Sequence, residues 1–223
     1  MQSAKTVHFD GTGSFALKGD FSMSFDMKLT GDIELPDRSR TTMQTSLVGQ
    51  NLVVKTITVG GKAYASDPKT GLWTEAAAKS GASLTSVLPT DPLGSLDLSG
   101  IAGVVEVDRA EVAGRKTRHL HYTADPTKLL GAMQKAAGSS PLPFSNPTGS
   151  GDLWIRVDDG QIVRQAVKIS LDIGDLSSLI PSGQIPGATP GGGKSTFEMG
   201  FDMRFSHHGE PVPEITAPPV SSR

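Results

Sequence analysis

Hydrophobic and polar residues alternate with a two-residue period over long stretches of this chain. The clearest cases are Phe21-Ser-Met-Ser-Phe-Asp-Met-Lys-Leu29, continued by Gly31, Ile33 and Leu35, and Phe197-Glu-Met-Gly-Phe-Asp-Met-Arg-Phe205 near the other end. Side chains point alternately to the two faces of a strand, so each segment predicts a long strand with one apolar and one polar face. A helix would spread the same charges around its circumference.

The same reading, with turns at Gly, Pro, Asn and Asp clusters, gives further strands. They are Lys5–Leu17 (Val7, Phe9, Phe15 and Leu17 in phase), Thr41–Val48, Leu52–Val59, Lys62–Ser66 and Leu72–Thr74. Later strands are expected over Val104–Val112, Lys116–Thr123, Asp152–Val157 and Gln161–Ile173, the last pair joined through Asp158-Asp159-Gly160. Between them the pattern changes. Residues 76–100 are Ala- and Leu-rich and broken by Pro89 and Pro92, which predicts short helices. Asp125 and Pro126 form an N-cap and first-turn pair, followed by Leu129, Leu130, Met133 and Ala137 at helical spacing, which predicts a helix over 126–137. Residues 139–150 and 174–193 are expected to be loops, plausible gates over the sheet, and 210–223 a Pro-rich tail. No linker separates two cores, so residues 1–223 are read as one domain: an antiparallel meander with a few inserted helices.

The sheet's apolar side needs cover, and composition bears on what supplies it. A chain of 223 residues can bury a sizeable core. Aromatic content is only 5%, yet several of the seven methionines lie on predicted strands. Methionine is flexible and polarisable and fits irregular apolar shapes. The net charge of −2, without a basic run, excludes a nucleic-acid footprint. Cysteine is absent, which removes disulfides and thiol chemistry. No apolar run reaches the roughly 18–20 residues of a membrane-spanning helix.

Candidate chemistry is sparse. Ala188-Thr-Pro-Gly-Gly-Gly-Lys194-Ser195 fits a loose phosphate-binding loop, but that loop must open a helix, and a strand follows here. His119 and His121 share one strand face and could begin a metal site; the plainer expectation is a solvent-facing pair. His207 and His208 are adjacent near the chain end. No Gly-x-Ser-x-Gly turn stands between a strand and a helix. The sequence therefore predicts no enzyme, no cofactor and no metal. Trp154 is out of phase with Leu153, Ile155 and Val157, which places it on the opposite face or the rim.

Several local motifs have a familiar order. They are Gly61-Lys-Ala-Tyr64-Ala with Leu72-Trp73-Thr, then Gly151-Asp-Leu-Trp154-Ile-Arg-Val-Asp158-Asp-Gly-Gln161-Ile, and finally Phe205-Ser-His-His-Gly209-Glu-Pro-Val212 with Ile215-Thr-Ala-Pro218-Pro. With the helical insert and the single helix between them, they make the chain resemble the LppX/LprA/LprF/LprG family of bacterial lipoproteins. The resemblance covers nearly the whole chain.

It implies an α+β fold similar to LolA and LolB: one large curved antiparallel half-barrel sheet of about eleven strands, with a few helices covering its concave apolar face. It also implies non-catalytic binding and transport of an acylated lipid or glycolipid in the bacterial cell envelope. An N-terminal lipid anchor would hold the protein at the membrane surface, with export machinery a possible partner. The lipobox cysteine is missing, as expected if signal and anchor were removed, and the helix that precedes the family's first strand is not evident.

The lining expected from the sheet is Phe25, Met27, Leu29, Val167, Ile169, Met199, Phe201 and Met203. Leu84, Val87 and Leu88 would face it from the insert, and Leu129, Leu130 and Met133 from the helix. Burying one long acyl chain gains on the order of 10 kcal/mol against water, at about 0.8 kcal/mol per methylene, and nearly nothing against a bilayer. A carrier can therefore load and unload without an energy source. The competing expectation is an envelope binding or scaffold module whose sheet face meets a protein or wall partner without lipid.

Overall fold

The computed structural model describes residues 5–19, 22–47, 50–75, 101–124, 126, 144–173 and 195–220. They form one open antiparallel sheet of eleven strands in the spatial order β6-β5-β4-β3-β2-β1-β11-β10-β9-β8-β7. In chain order these are β1 (Thr6–Lys18), β2 (Met23–Glu34), β3 (Arg38–Leu47), β4 (Gln50–Val59), β5 (Lys62–Ser66), β6 (Trp73–Glu75), β7 (Ile101–Val112), β8 (Arg115–Ala124), β9 (Phe144–Arg156), β10 (Ile162–Ile173) and β11 (Ser195–Ser206). Two meanders, β1 to β6 and β7 to β11, meet where β1 pairs with β11 at the centre. The predicted helices over 76–100 and 126–137 lie outside the described residues, apart from Pro126.

Alternation along each strand and direct pairing across strands carry one set of side chains to a common face. Phe9, Phe15, Met27, Leu29, Ile33, Met43, Val54, Ile169, Leu171, Met199, Met203 and Phe205 form the buried core there. The opposite face is polar. Asp32, buried on it, takes hydrogen bonds from His8 at 2.8 Å and from Arg40 Nε at 2.7 Å.

The observed strands match the predicted ones to within about three residues at each end, with one real departure. Residues 144–150, expected to be loop, belong to β9 in spite of Pro147. The register shifts between Ser170 and Asp172 of β10, whose partners on β9 are Thr148 and Ser145. Asn146 and Pro147 therefore fall in an irregularity, and Asn146 has a φ of 51°. Proline has no N–H to give a ladder, so a bulge is where a strand tolerates it. The suggested gate at 139–150 is accordingly shortened to its part outside the described residues.

Both edges of the sheet are managed. Along β7 the register shifts between Ala102 and Val105 and again between Glu106 and Asp108, which breaks up a long edge that exposes Val104, Val105 and Val107. At the other edge the tail returns. It is tied to β1 by the Gly209 N–H to the Thr6 carbonyl at 2.8 Å and by the Thr6 hydroxyl to the Glu210 carbonyl at 2.7 Å. It then buries Ile215 and makes a parallel bridge from Val220 to Trp73 of β6. Crossing from β1 to β6 takes about 24 Å at the usual strand spacing, within reach of ten extended residues.

Glycines on the apolar face make room for large neighbours. A Cβ on Gly151 would lie 2.3 Å from the Tyr122 hydroxyl and 2.4 Å from its ring carbon, whereas one on Gly200, on the polar face, would meet the Ser14 hydroxyl at 3.1 Å and the Val167 carbonyl oxygen at 3.8 Å. Gly151→Ala is expected to cost about 1–3 kcal/mol through overpacking. Gly200→Ala is expected to shift the midpoint much less, and urea denaturation of the two variants checks the contrast.

Candidate functional site

The eight sheet residues expected to line a cavity fall on three adjacent cross-strand rows. Phe25, Phe15, Met199 and Ile169 face one another along the first. Met27, Gly13, Phe201 and Val167 follow in the second, and Leu29, Gly11, Met203 and Gln165 in the third. Four strands, β2, β1, β11 and β10, thus gather all eight into one patch at the centre of the apolar face. Leu84, Val87, Leu88, Leu129, Leu130 and Met133 lie outside the described residues.

Two glycines shape the patch. A Cβ on Gly13 would sit 2.8 Å from Met27 Cγ and 3.0 Å from a Phe201 ring carbon, and one on Gly11 would sit 2.5 Å from Met203 Sδ. Large side chains therefore lean from neighbouring strands over bare backbone, which packs the layer without a side chain of β1 beneath it. Phe15 is the hub: its ring stacks on Phe25 at 5.0 Å, meets Phe201 edge-on at 5.7 Å and tilts against Phe197 at 6.0 Å. Phe15 and Phe197 were not among the expected lining residues, although their phase with Phe9 and Phe201 was visible in the sequence.

Burial is uneven across this face. Towards the start of β1, Phe9 and Ile33 are fully enclosed, and Met27, Leu29 and Met203 are buried. Towards the β1–β2 turn, Leu17, Phe25, Phe197, Phe201 and Val167 are only partly buried, and Met23 is 37% exposed. The rings of Phe25, Phe197 and Phe201 thus keep part of their surface open beside the buried Phe15, Met199 and Leu171, and Val7 is likewise only partly buried at the other end.

On the flank of the same face the Gln165 amide donates to the buried Tyr122 hydroxyl at 3.2 Å. Burial pushes the Tyr122 pKa up against that hydrogen bond. This pair keeps two polar groups satisfied inside an apolar layer.

The polar face holds the histidines. His119 Nε2 lies 2.9 Å and His121 Nδ1 3.1 Å from the same Asp152 oxygen, and His119 Nδ1 lies 3.2 Å from Asp108. The pair expected to face solvent is therefore tied down by a carboxylate from the next strand. Burial works to raise the Asp152 pKa, but hydrogen bonds from His121 and His119 outweigh it and hold the carboxyl below its ordinary value. Among the described residues no group of His, Asp and Glu is arranged to hold a metal ion. Trp154 lies on this face as expected, stacked on His119 at 4.5 Å with the Arg164 guanidinium 4.4 Å from its ring centre. Arg164 in turn pairs with Asp202. Ser195 opens β11, so the phosphate-loop pattern leads into a strand.

No family model and no curated protein sequence matches the chain. Solved structures do resemble it. The crystal structure of the Mycobacterium tuberculosis lipoprotein LppX is 15% identical, with 96% of this chain and 90% of that chain covered and a TM-score of 0.43. The chain is similar to mycobacterial lipoproteins. LprF from Mycobacterium bovis is also 15% identical, over 95% of this chain and 90% of that one, with a TM-score of 0.42. A putative outer membrane lipoprotein-sorting protein domain from Vibrio parahaemolyticus is 14% identical over 90% and 86%, with a TM-score of 0.36.

The buried Asp32 with its half-exposed partners His8 and Arg40 gives a pH prediction. Burial favours protonation of Asp32, but the hydrogen bonds from His8 and Arg40 and their charges hold its pKa below the ordinary 3.8. Its contribution is thus fully present above about pH 4 and is lost as pH falls through the depressed folded value. Asp32→Asn should destabilise the protein by about 1–3 kcal/mol at neutral pH. That difference should shrink below pH 4 in denaturation curves measured across the pH range.

Proposed function

We propose that this protein is a non-catalytic carrier that binds acylated lipid or glycolipid against the apolar face of its sheet, in the bacterial cell envelope. The observation that carries the reading is the partly open aromatic end of the central patch, where Leu17, Phe25, Phe197 and Phe201 surround the Phe15 hub. A sheet built only to be a closed core would bury these rings as it buries Phe9. The methionines beside them, Met27, Met199 and Met203, adapt to flexible chains. The motif resemblance to the LppX/LprG-type lipoproteins supports the same reading.

On this account residues 76–100 and 126–137 supply the other wall of the cavity, with Leu84, Val87, Leu88, Leu129, Leu130 and Met133 turned to the cargo. Binding takes its free energy from apolar area removed from water, about 0.8 kcal/mol per methylene. Exchange with a membrane is then nearly balanced, and no proton or metal chemistry is needed. An N-terminal lipid anchor would keep the domain within reach of its donor bilayer, and delivery would involve export machinery.

Native mass spectrometry of the purified protein, followed by solvent extraction, should reveal a stoichiometric adduct of acylated lipid. A clean apo mass that persists after incubation with lipid vesicles would contradict the carrier reading. Phe201→Asp should reduce loading at least tenfold, while circular dichroism still reports the sheet. If that variant loads lipid as well as the parent, the patch is not the cargo site.

A further inference from the structure

Across the ladders from β6 to β9, the strand positions that share the apolar face hold no Asp, Glu, Lys, Arg or His. Of the polar groups there, Tyr122 and Gln165 bond each other. Hydroxyls gather at one corner. On β3 and β4, Ser39 stands opposite Thr58 and Thr41 opposite Thr56. Beside them β5 brings only Ala63 and Ala65 to this face. The corner adjoins the fully enclosed Ile33, which pairs with Ser39, and Phe9, which reaches Thr41 through Gly31.

Thr41 stands out in this corner. It is 6% exposed, and among the described residues its Oγ1 is the buried side-chain polar atom that has no hydrogen-bond partner. A buried hydroxyl left unbonded is costly, and valine has nearly the same shape without that cost. The core residues around it, Phe9, Ile33, Met43 and Val54, offer it nothing to bond. Phe9 leans over the bare backbone of Gly31 between them: a Cβ there would lie 2.6 Å from Phe9 Cζ. The surroundings specify the missing partner. A carboxylate or phosphate would lack a counter-charge on this face, which one hydroxyl does not offset. An uncharged carbonyl oxygen needs a single donor, and a threonine hydroxyl is one. Thr56 and Thr58 are only half-buried, so the corner is not sealed. Gly31, opposite Thr41, lies six residues along β2 from Phe25. That is about 20 Å at the usual rise, the length of a long extended acyl chain.

We propose that Thr41 is a specificity-determining residue of the lipid site: its hydroxyl donates to an ester carbonyl of the cargo, and the acyl chain runs from there along β2 and β1 to the aromatic end. This subsite rests on the lipid-carrier reading and adds to it which atom of the cargo is recognised. Burial of hydrocarbon gives affinity without regard to how the chain is linked. Discrimination between an ester and an ether of equal length therefore falls to Thr41.

The test is a competition on the full chain between 1-palmitoylglycerol and 1-O-hexadecylglycerol, which share chain length and glycerol and differ in one carbonyl. The protein is incubated with an excess of the equimolar mixture and re-isolated, and the lipids extracted from it are quantified by mass spectrometry. The parent should carry the ester over the ether by about tenfold, the effect of one buried hydrogen bond. Thr41→Val should bring the two to about equal loading, through loss of the ester alone, while Thr41→Ser keeps the preference. The valine variant should be at least as stable as the parent in urea, because it removes an unbonded hydroxyl. Should it fail to fold, Thr41→Ala should show the same loss of preference. Equal loading of ester and ether by the parent, or a preference that survives removal of the hydroxyl, would overturn the proposal and leave the carrier reading standing. Loading of neither lipid would sink both.

Discussion

The ladder between β1 and β11 joins the two ends of the chain, setting Phe9 opposite Phe205 and Phe15 opposite Met199. On its other edge β1 pairs with β2, so one strand holds both meanders in register. The apolar patch is placed by that arrangement. The apolar patch exists because β2, β1, β11 and β10 bring Phe25, Phe15, Met199 and Ile169 onto one row. The same strands turn Thr12, Ser14, Asp202 and Ala166 to the other face. A one-residue slip of β1 would exchange the two faces and abolish the patch. Closing so distant a pair is entropically costly, and the apolar contacts that Phe9, Phe15, Met199 and Phe205 make in the core offset that cost.

The two faces solve different problems. The apolar face packs large side chains over glycine backbone, as Met203 does at Gly11 and Tyr122 at Gly151. The polar face buries charge only where it is fully partnered, as at Asp32 with His8 and Arg40. On that face the Asp152 carboxylate ties down His119 and His121, and Trp154 is flanked by His119 and Arg164.

Much of this was legible in the sequence, because period-two alternation in segments such as Phe21–Leu29 and Phe197–Phe205 states which residues share a face. The strand order was less legible, and what failed depended on it. The tie from Asp152 to His119 and His121 needs the register of β8 on β9, which no local pattern encodes. The meeting of Ser14, Gly200 and Lys168 was hidden for the same reason, since they lie far apart in the chain and come together only by pairing. Pro147 misled directly: proline read as loop, whereas a bulge let the strand begin before it. Phe15 was seen in phase but not as a hub, because its neighbours Phe25, Phe197 and Phe201 come from strands whose adjacency the sequence left open.

The central claim is that the apolar face, at its aromatic end, is where lipid sits. Photo-crosslinking with a phospholipid carrying a diazirine in its acyl chain, mapped by peptide mass spectrometry, tests it directly. The account predicts labels on Leu17, Phe25, Phe197 and Phe201, all on one face of the central strands. Labels confined to the exposed valines of β7, or to the polar face, would contradict it.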